Sequence, residues 1–311
     1  MSKFDVSRRQ FLGLFGATAA VAGLGLAGCG SEPAQEAPAA AEDKALSGTI
    51  VCSGATSFQP LVEAAANDFM AKNADVNISV TGGGSGQGLS DIKDGKAQIG
   101  RSDIFAESKL SEDEVAKLQD NPVAIVGMGP IVNSNVAVDD LSTAQLKGIF
   151  TGAITNWSEV GGADAPIQVI NRKSGSGTRA TFEDAVLAGA EVPDSFKPVA
   201  EEDSSGTVVE KVSQTENSIS YLAFSYYDDS KFKALSVDGV APTAENVESG
   251  DFKIWSYEHM YTAKDADDVT KAFIDYMLSD DVQGKLVEDQ GFIPLTGMKV
   301  QKDAKGNITS K

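Results

Sequence analysis

The chain is poor in the residues on which enzymes and disulfide-bonded proteins most often depend. Its 311 residues include one histidine, His259, and two cysteines, Cys29 and Cys52. A single histidine leaves no cluster with zinc-ligand spacing, and the sequence shows no Cys–His or Ser–His–Asp set for nucleophilic catalysis. The sequence therefore predicts a protein that is not an enzyme and that holds no metal or other cofactor.

Positive charge is also scarce. Lysine and arginine number 26 against 45 aspartates and glutamates, which gives a formal net charge of −19 at pH 7. A surface of this sign keeps a protein soluble and repels nucleic acid. We therefore expect no nucleic-acid partner, and we expect the protein to act as a monomer.

Long apolar runs are confined to the N-terminus. Residues 1–28 hold the twin-arginine pattern SRRQFL (7–12) and a short apolar run that glycine interrupts. The run leads into LAGC (26–29), which resembles a bacterial lipobox, the motif in which a lipid is attached to the cysteine, here Cys29. The next segment, 29–46, is rich in Ala, Pro and Glu and predicts an extended tether. The sequence thus predicts a twin-arginine lipoprotein signal peptide, and a mature protein that a lipid on Cys29 anchors to the extracytoplasmic face of the cell membrane. The alternative is an ordinary N-terminal transmembrane anchor.

The body of the chain alternates strand-like and helix-like segments, which is the mark of an α/β protein. The first strand is predicted at 49–53 and contains Cys52, whose apolar neighbours indicate a buried, unreactive thiol. A helix follows, for which Ser57 is the predicted N-cap. Capping boxes at 111–114 and 142–145 predict the starts of two further helices.

One pattern occurs three times along the chain: a short strand runs into a turn of small residues, and a helix follows. The turns are CSGATS (52–57), TGGGSG (81–86) and SGSGT (174–178). Ligands of open α/β sheets bind beyond the carboxyl ends of the strands, where helix N-termini present unpaired N–H groups. Glycine lets the backbone approach a ligand, and serine and threonine add hydroxyl donors. Together with Arg172, just before the third turn, the three turns predict a site for a small oxyanion.

Four segments, in this order, resemble the substrate-binding proteins of phosphate ABC importers: GATSFQPLVEAAANDF, VTGGGSGQGLSDIKDGKAQIGRSD, LKGIFTGAITNWSEVGG and NRKSGSGTRATFED. The resemblance spans about residues 48–300. It implies a type II periplasmic-binding-protein-like clamshell, an α/β fold of two lobes with crossover hinge strands between them. Lobe 1 is expected at 47–130 and 253–311, and lobe 2 at 131–252.

The resemblance also implies a function and a set of site residues. The chain is expected to bind inorganic phosphate between the lobes and to deliver it to the membrane permease of a phosphate ABC importer. Arg172 would offer a planar fork of donors to two phosphate oxygens. Asp103 would accept a hydrogen bond from the protonated oxygen that phosphate has and sulfate lacks. The residues expected to bind phosphate are Ser57, Phe58, Ser85, Asp103, Arg172, Ser176, Gly177 and Thr178.

The segment 126–130, at the expected first crossover, does not match the family's pattern, and two positions near the expected site also depart from it. Ser174 stands where many relatives carry an acidic residue that pairs with the arginine. Arg101, close to Asp103, either partly compensates for that carboxylate or faces solvent. The alternative functions are a binder of another oxyanion, such as sulfate, molybdate or tungstate, and an adhesin-like lipoprotein that binds no ligand.

Overall fold

The computed structural model describes residues 45–311. The predicted signal peptide (1–28), Cys29 and nearly all of the predicted tether (29–46) lie outside the described residues. Leu46, at the end of that tether, packs half-buried against the core. Within 45–311, no helix has both the length and the apolar character that crossing a bilayer requires.

Strands and helices alternate through the described chain, as the sequence predicts for an α/β protein. The strands are β1 (Gly48–Gly54), β2 (Val76–Thr81), β3 (Ile99–Ser102), β4 (Leu118–Gln119), β5 (Pro122–Val132), β6 (Asp140–Leu141), β7 (Gln168–Arg172), β8 (Ala200–Glu202), β9 (Ser218–Ala223), β10 (Lys233–Ala234), β11 (Ser236–Val237), β12 (Trp255–Ala263), β13 (Val300–Lys302) and β14 (Ile308–Ser310). The helices are α1 (Gln59–Lys72), α2 (Ser85–Lys93), α3 (Glu112–Val115), α4 (Thr143–Phe150), α5 (Gly177–Val186), α6 (Ser205–Gln214), α7 (Ala244–Ser249), α8 (Asp268–Met277) and α9 (Val287–Asp289).

One mixed sheet runs through the described part of the molecule. Its strands follow the order β2-β1-β3-β12-β5-β9-β7-β8, with β4 paired to β12 and β10 paired to β5. Strands β1, β2 and β3 run parallel at one end, and β7, β8 and β9 run parallel at the other. Strands β12 and β5, in the middle, are antiparallel to their neighbours. The sheet therefore has two parallel halves joined by an antiparallel centre.

Strand β5 is where the two halves of the sheet meet. Its first part pairs with β12 as far as Gly127 opposite Trp255, and its second part pairs with β9 from Met128 opposite Ala223. A Cβ atom on Gly127 would stand 2.2 Å from the ring of Phe224, so a larger residue does not fit there. One continuous strand thus passes from one half-sheet to the other without an intervening loop.

Buried aromatic side chains hold helices against each half of the sheet. In the first half, the Phe69 ring of α1 packs on Phe273 of α8, with the ring centroids 5.3 Å apart. In the second half, Phe182 of α5 stacks on Tyr221 of β9 at 4.1 Å. Both pairs belong to the same continuous hydrophobic core. This packing holds α1 and α5 against the sheet. The N-terminal ends of both helices lie at the site described below.

Local start signals are partly confirmed. The side chain of Glu114 accepts a hydrogen bond from the backbone N–H of Ser111 at 2.9 Å, and that of Gln145 accepts one from Ser142 at 2.8 Å, as the two capping boxes predict. The prediction that Ser57 caps α1 is wrong, because Phe58 holds the N-cap position and no side chain caps it there. The hydroxyl of Ser57 donates to the carboxylate of Asp103 instead, at 2.6 Å.

Candidate anion-binding site

The three turns that follow β1, β2 and β7 come together at one place. The backbone N–H of Gly84, in the second turn, donates to the carbonyl of Gly54 in the first at 3.0 Å. The N–H of Gly86, also in the second turn, donates to the carbonyl of Gly175 in the third at 3.0 Å. The first two turns belong to one half of the sheet and the third to the other half. The turns therefore meet across the cleft between the two halves.

Asp103, which follows β3, is the centre of a buried hydrogen-bond network. Its side chain accepts from the hydroxyl of Ser57 at 2.6 Å through Oδ1 and from the hydroxyl of Thr178 at 2.9 Å through Oδ2. Its backbone N–H donates to Oγ of Ser85 at 2.9 Å. Asp103 is 2% exposed. Three of the predicted site residues, one from each turn, thus meet at a fourth, Asp103.

The start of α5 forms the opposite wall. A Cβ atom on Gly177 would lie 2.1 Å from Oγ of Ser85 and 2.9 Å from Cβ of Asp103, so the close approach of the two walls requires glycine. Ser176 is the N-cap of α5, and its hydroxyl accepts a hydrogen bond from the backbone N–H of Arg179. Gly177 and Thr178 are the first two residues of the helix, where backbone N–H groups have no partner within the helix and the helix dipole favours an anion.

Arg172, the last residue of β7, is 1% exposed and reaches across the cleft. Its Nη2 donates to Oγ1 of Thr56 at 3.3 Å and its Nη1 to Oγ of Ser205 at 3.4 Å. The guanidinium also donates to the backbone carbonyls of Glu202 at 3.3 Å and Asp203 at 3.2 Å. Burial lowers the pKa of Arg172 from its ordinary value, but the group stays a cation because that value is far above neutral pH.

The other basic residues near the third turn lie outside this network. Lys173 is exposed. Arg179 pairs with Glu183 at 2.7 Å and with Glu201 at 3.3 Å, and its charge is neutralised there. Of the basic residues in this segment, Arg172 alone takes part in the contacts between the walls.

Arg101 is buried under the site, and the alternative that it faces solvent is wrong. The side chain is 0% exposed. Its Nη1 donates to the carbonyl of Ala55 at 2.8 Å, and its Nη2 donates to the carbonyl of Thr81. Arg101 therefore ties the first turn to the second and adds a second buried cation beneath Asp103. Burial lowers the pKa of Arg101 from its ordinary value.

The structure adds contact residues that sequence reasoning missed. Oγ1 of Thr56 accepts from the backbone N–H of Ser205 at 3.2 Å, and the two residues are 149 positions apart in sequence. The hydroxyl of Tyr226 donates to the carbonyl of Thr56 at 2.7 Å, and burial raises the pKa of Tyr226 to about 12, so it stays a donor. Thr56 had a detectable signal, because it lies beside Ser57 in the first turn. Ser205 and Tyr226 had none, because only the fold brings them there.

Phe58 and the surroundings of the network complete the site. The Phe58 ring is fully buried and packs edge-on to Phe292 at 6.0 Å, so its backbone is fixed at the start of α1. A cleft of about 480 Å³ opens beside Thr56, with Glu63 and Asp203 at its rim. In the described part of the chain, no group of three or more His, Cys, Asp and Glu side chains could hold a metal ion. Buried hydroxyls, backbone N–H groups and two guanidinium groups surround one carboxylate, which suits a small oxyanion that carries a proton.

The chain is similar in sequence to a known protein family and to several characterised proteins. Residues 38–281 match the family model of the PBP superfamily domain. The chain is 48% identical to the phosphate-binding protein PstS of Bacillus subtilis over 284 residues, which cover 90% of this chain and 93% of that protein. It is 28% identical to the phosphate-binding protein PstS of Borreliella burgdorferi over 255 residues, 77% of this chain and 88% of the other.

Solved structures of similar proteins agree. A crystal structure of a phosphate ABC transporter substrate-binding protein with bound phosphate, from Clostridium perfringens, is similar with a TM-score of 0.74 and 35% identity. The similarity covers 80% of this chain and 100% of that one. An ABC-type phosphate transport receptor from Vibrio cholerae is similar with a TM-score of 0.64 and 28% identity, over 78% of this chain and 99% of the other.

Proposed function

Because the chain belongs to the PBP superfamily and, within it, to the phosphate-binding proteins of ABC transporters, we propose that it binds inorganic phosphate between its two lobes. The membership confirms the predicted fold class, a mixed α/β clamshell of two lobes. The related proteins include a substrate-binding protein and a transport receptor. The chain accordingly acts as a receptor rather than an enzyme, and it passes phosphate to the membrane permease of an ABC importer.

The observation that carries this proposal is the position of Asp103 among donors from both walls. Phosphate at neutral pH still carries a proton and can donate a hydrogen bond to a carboxylate, whereas sulfate carries none. On binding, the hydroxyls of Ser57 and Thr178 turn from Asp103 to the anion, and Asp103 accepts a hydrogen bond from the protonated oxygen of phosphate. A site that requires such a hydrogen bond can reject an analogue that lacks it by about 10⁴–10⁵.

Closure of the lobes supplies the rest of the binding energy. We place lobe 1 at 47–130 and 253–311 and lobe 2 at 131–252. The change of pairing partner along β5, between Gly127 and Met128, lies close to the first boundary and supports it. Only the closed form uses donors from both lobes, so phosphate shifts an open–closed equilibrium towards it.

Calorimetric titration of residues 29–311 with phosphate and with sulfate tests the function. Arg172→Ala removes a charge-assisted donor pair, and a hydrogen bond to a charged group contributes roughly 1.5–3 kcal/mol, so phosphate affinity should fall roughly 10- to 150-fold. Lys173→Ala is the matched control, because it removes the same formal charge from the next residue in the chain, whose side chain is exposed. An Arg172→Ala affinity equal to that of the control would remove Arg172 from the site.

The same titration separates the alternatives. Sulfate binding equal to phosphate binding would point to a general oxyanion binder and would remove the role of Asp103. Phosphate binding that is absent or only millimolar would favour an adhesin-like lipoprotein without a ligand. Hydrolysis of a phosphate ester by the purified protein would restore the enzyme as a candidate.

Export and anchoring form a separate part of the proposal. The pattern SRRQFL and the lipobox-like LAGC support export by the twin-arginine route and attachment of a lipid to Cys29. Removing residues 1–28 takes away three cations and one anion, so the formal charge of the anchored protein becomes −21. Cys29→Ala should release the protein from the membrane fraction and abolish labelling by a radioactive fatty acid. A variant that still partitions with membranes and carries label would refute the anchor.

A further inference from the structure

One buried acid beside the site is not explained by the contacts described so far. Glu258 lies in β12 and is 0% exposed. Within residues 45–311, neither of its carboxyl oxygens accepts a hydrogen bond from a protein donor, whereas the carboxyl group of Asp103 lies within hydrogen-bonding reach of it. An ionised carboxylate that is buried and unpaired costs several kcal/mol, so such a group takes up a proton instead.

The groups that face Glu258 come from the same elements that build the anion site. Asp103 and Arg101 approach it from β3 and the residue beyond its end, and Ser57 approaches it from the start of α1. On its other side β5 presents Ala124, which carries no charge. The next residue along β12, His259, bonds elsewhere, since its Nδ1 lies 2.8 Å from a carboxylate oxygen of Asp120.

The charges around Glu258 favour its neutral form. Burial raises its pKa well above the ordinary value, and the negative charge of Asp103 raises it further. The cation of Arg101 and the hydroxyl of Ser57 oppose this, but more weakly. A neutral Glu258 avoids the repulsion that a second negative charge beside Asp103 would cause.

We propose that Glu258 is a positioning residue of the phosphate site, which holds a proton beside Asp103 so that Asp103 is the single negative charge in the site and stays oriented as an acceptor. This inference rests on the proposed function of the site. With Glu258 neutral, Arg101 and Arg172 leave the site with a net positive charge to receive the anion. With Glu258 ionised, that net charge would be zero, and Asp103 would lose the donor that orients it.

The test compares three proteins with the wild type: Glu258→Gln, Glu258→Leu and the control Glu210→Gln. The glutamine keeps a neutral donor of the same shape, the leucine keeps only the volume, and Glu210 is an exposed carboxylate on α6. Infrared spectra of the ligand-free proteins at neutral pH report whether a protonated carboxylic acid is present through its C=O stretching band. Calorimetry with inorganic phosphate reports binding.

We expect the carboxylic acid band of the wild type to be lost in Glu258→Gln and kept in Glu210→Gln. We expect phosphate affinity to be kept in Glu258→Gln and to fall at least roughly tenfold in Glu258→Leu, because the leucine cannot donate to Asp103. Either a band that persists in Glu258→Gln or a Glu258→Leu variant that binds phosphate as well as the wild type would overturn the inference alone. Failure of the wild type to bind phosphate would overturn the proposed function as well, and the two failures are therefore distinguishable. If the leucine variant does not fold, Glu258→Gln alone tests the inference. A carboxylic acid band that persists in Glu258→Gln, or a tenfold loss of its phosphate affinity, would contradict the role of Glu258 as a neutral donor.

Discussion

The contact between Gly177 and the opposite wall gives a direct test of closure. Replacing Gly177 with alanine adds one methyl group, which would lie 2.1 Å from Oγ of Ser85 and 2.9 Å from the Cβ atoms of Ser85 and Asp103. The hydroxyl of Ser85 can rotate away, but the two Cβ atoms cannot, so the walls must separate. The backbone itself accepts alanine, because Gly177 is not among the residues with positive φ and begins a helix, where alanine is favoured.

The expected magnitude follows from the cost of overpacking. Inserting an extra carbon into a well-packed site typically costs roughly 1–3 kcal/mol. Only the closed form pays this penalty, since Gly177 and Ser85 lie on different halves of the sheet. Phosphate affinity should therefore fall roughly 5- to 150-fold, while the thermal stability of the phosphate-free open form should change little.

Calorimetry and thermal unfolding, with Gly206→Ala as the control, measure both quantities. Gly206 is the second residue of α6, and a Cβ atom there meets nothing within 4 Å. The control should bind phosphate as the wild type does. Unchanged affinity in Gly177→Ala, or an equal loss in Gly206→Ala, would refute the argument that these walls close on the ligand.

Three further measurements test other parts of the structure. Asp103→Asn should lower the ratio of phosphate affinity to sulfate affinity by at least about tenfold, because the amide can donate to either anion, whereas the carboxylate can only accept from protonated phosphate. An unchanged ratio in calorimetry would show that another group selects the ligand. Burial raises the pKa of Cys52 to about 12, so a thiol reagent at pH 8 should leave Cys52 of residues 30–311 unlabelled until denaturant is added, and rapid labelling of the native protein would contradict its position in β1. The pKa of Glu258 is higher in the folded protein than its ordinary value of 4.5, so the folded state binds more protons above pH 4.5 and loses stability as pH rises. Glu258→Gln removes this loss, and its melting temperature relative to the wild type should increase from pH 5 to pH 8; a constant difference would mean that Glu258 ionises normally.

Much of the framework could be predicted from short stretches of sequence. The capping boxes at Ser111 and Ser142 and the turn at Ser174–Thr178 depend on residues that lie within four positions of one another, and the local backbone decides such contacts. The order of the motifs identified the family, and with it the clamshell. The meeting of the first two turns followed from a general property of parallel strands, whose carboxyl ends share one edge of a sheet. The third turn follows β7, which runs antiparallel to β1 in the other half of the sheet, so only the tertiary structure brings it to the same place.

Other features depended on distant partners and could not be predicted. Ser57 carries the residue type of a helix cap, yet its hydroxyl bonds Asp103, which is 46 positions away. Arg101 was open to two interpretations, because whether an arginine is buried depends on which carbonyls the fold aims at it. Glu258 had no signal in the sequence, because no motif around it indicates that a second carboxyl group lies beside Asp103 in the folded protein.

The sequence by itself determined the alternation of strands and helices, the acidic surface, the family, and the types of group that approach the ligand. Only the tertiary structure decided which of those groups lie within hydrogen-bond distance of one another and which charges lie away from water. The physical reason is the range of the interactions: propensities, caps and turns act over a few residues, whereas burial and charge pairing depend on residues that are distant in sequence, from 20 positions for Arg101 and Thr81 to 149 for Thr56 and Ser205.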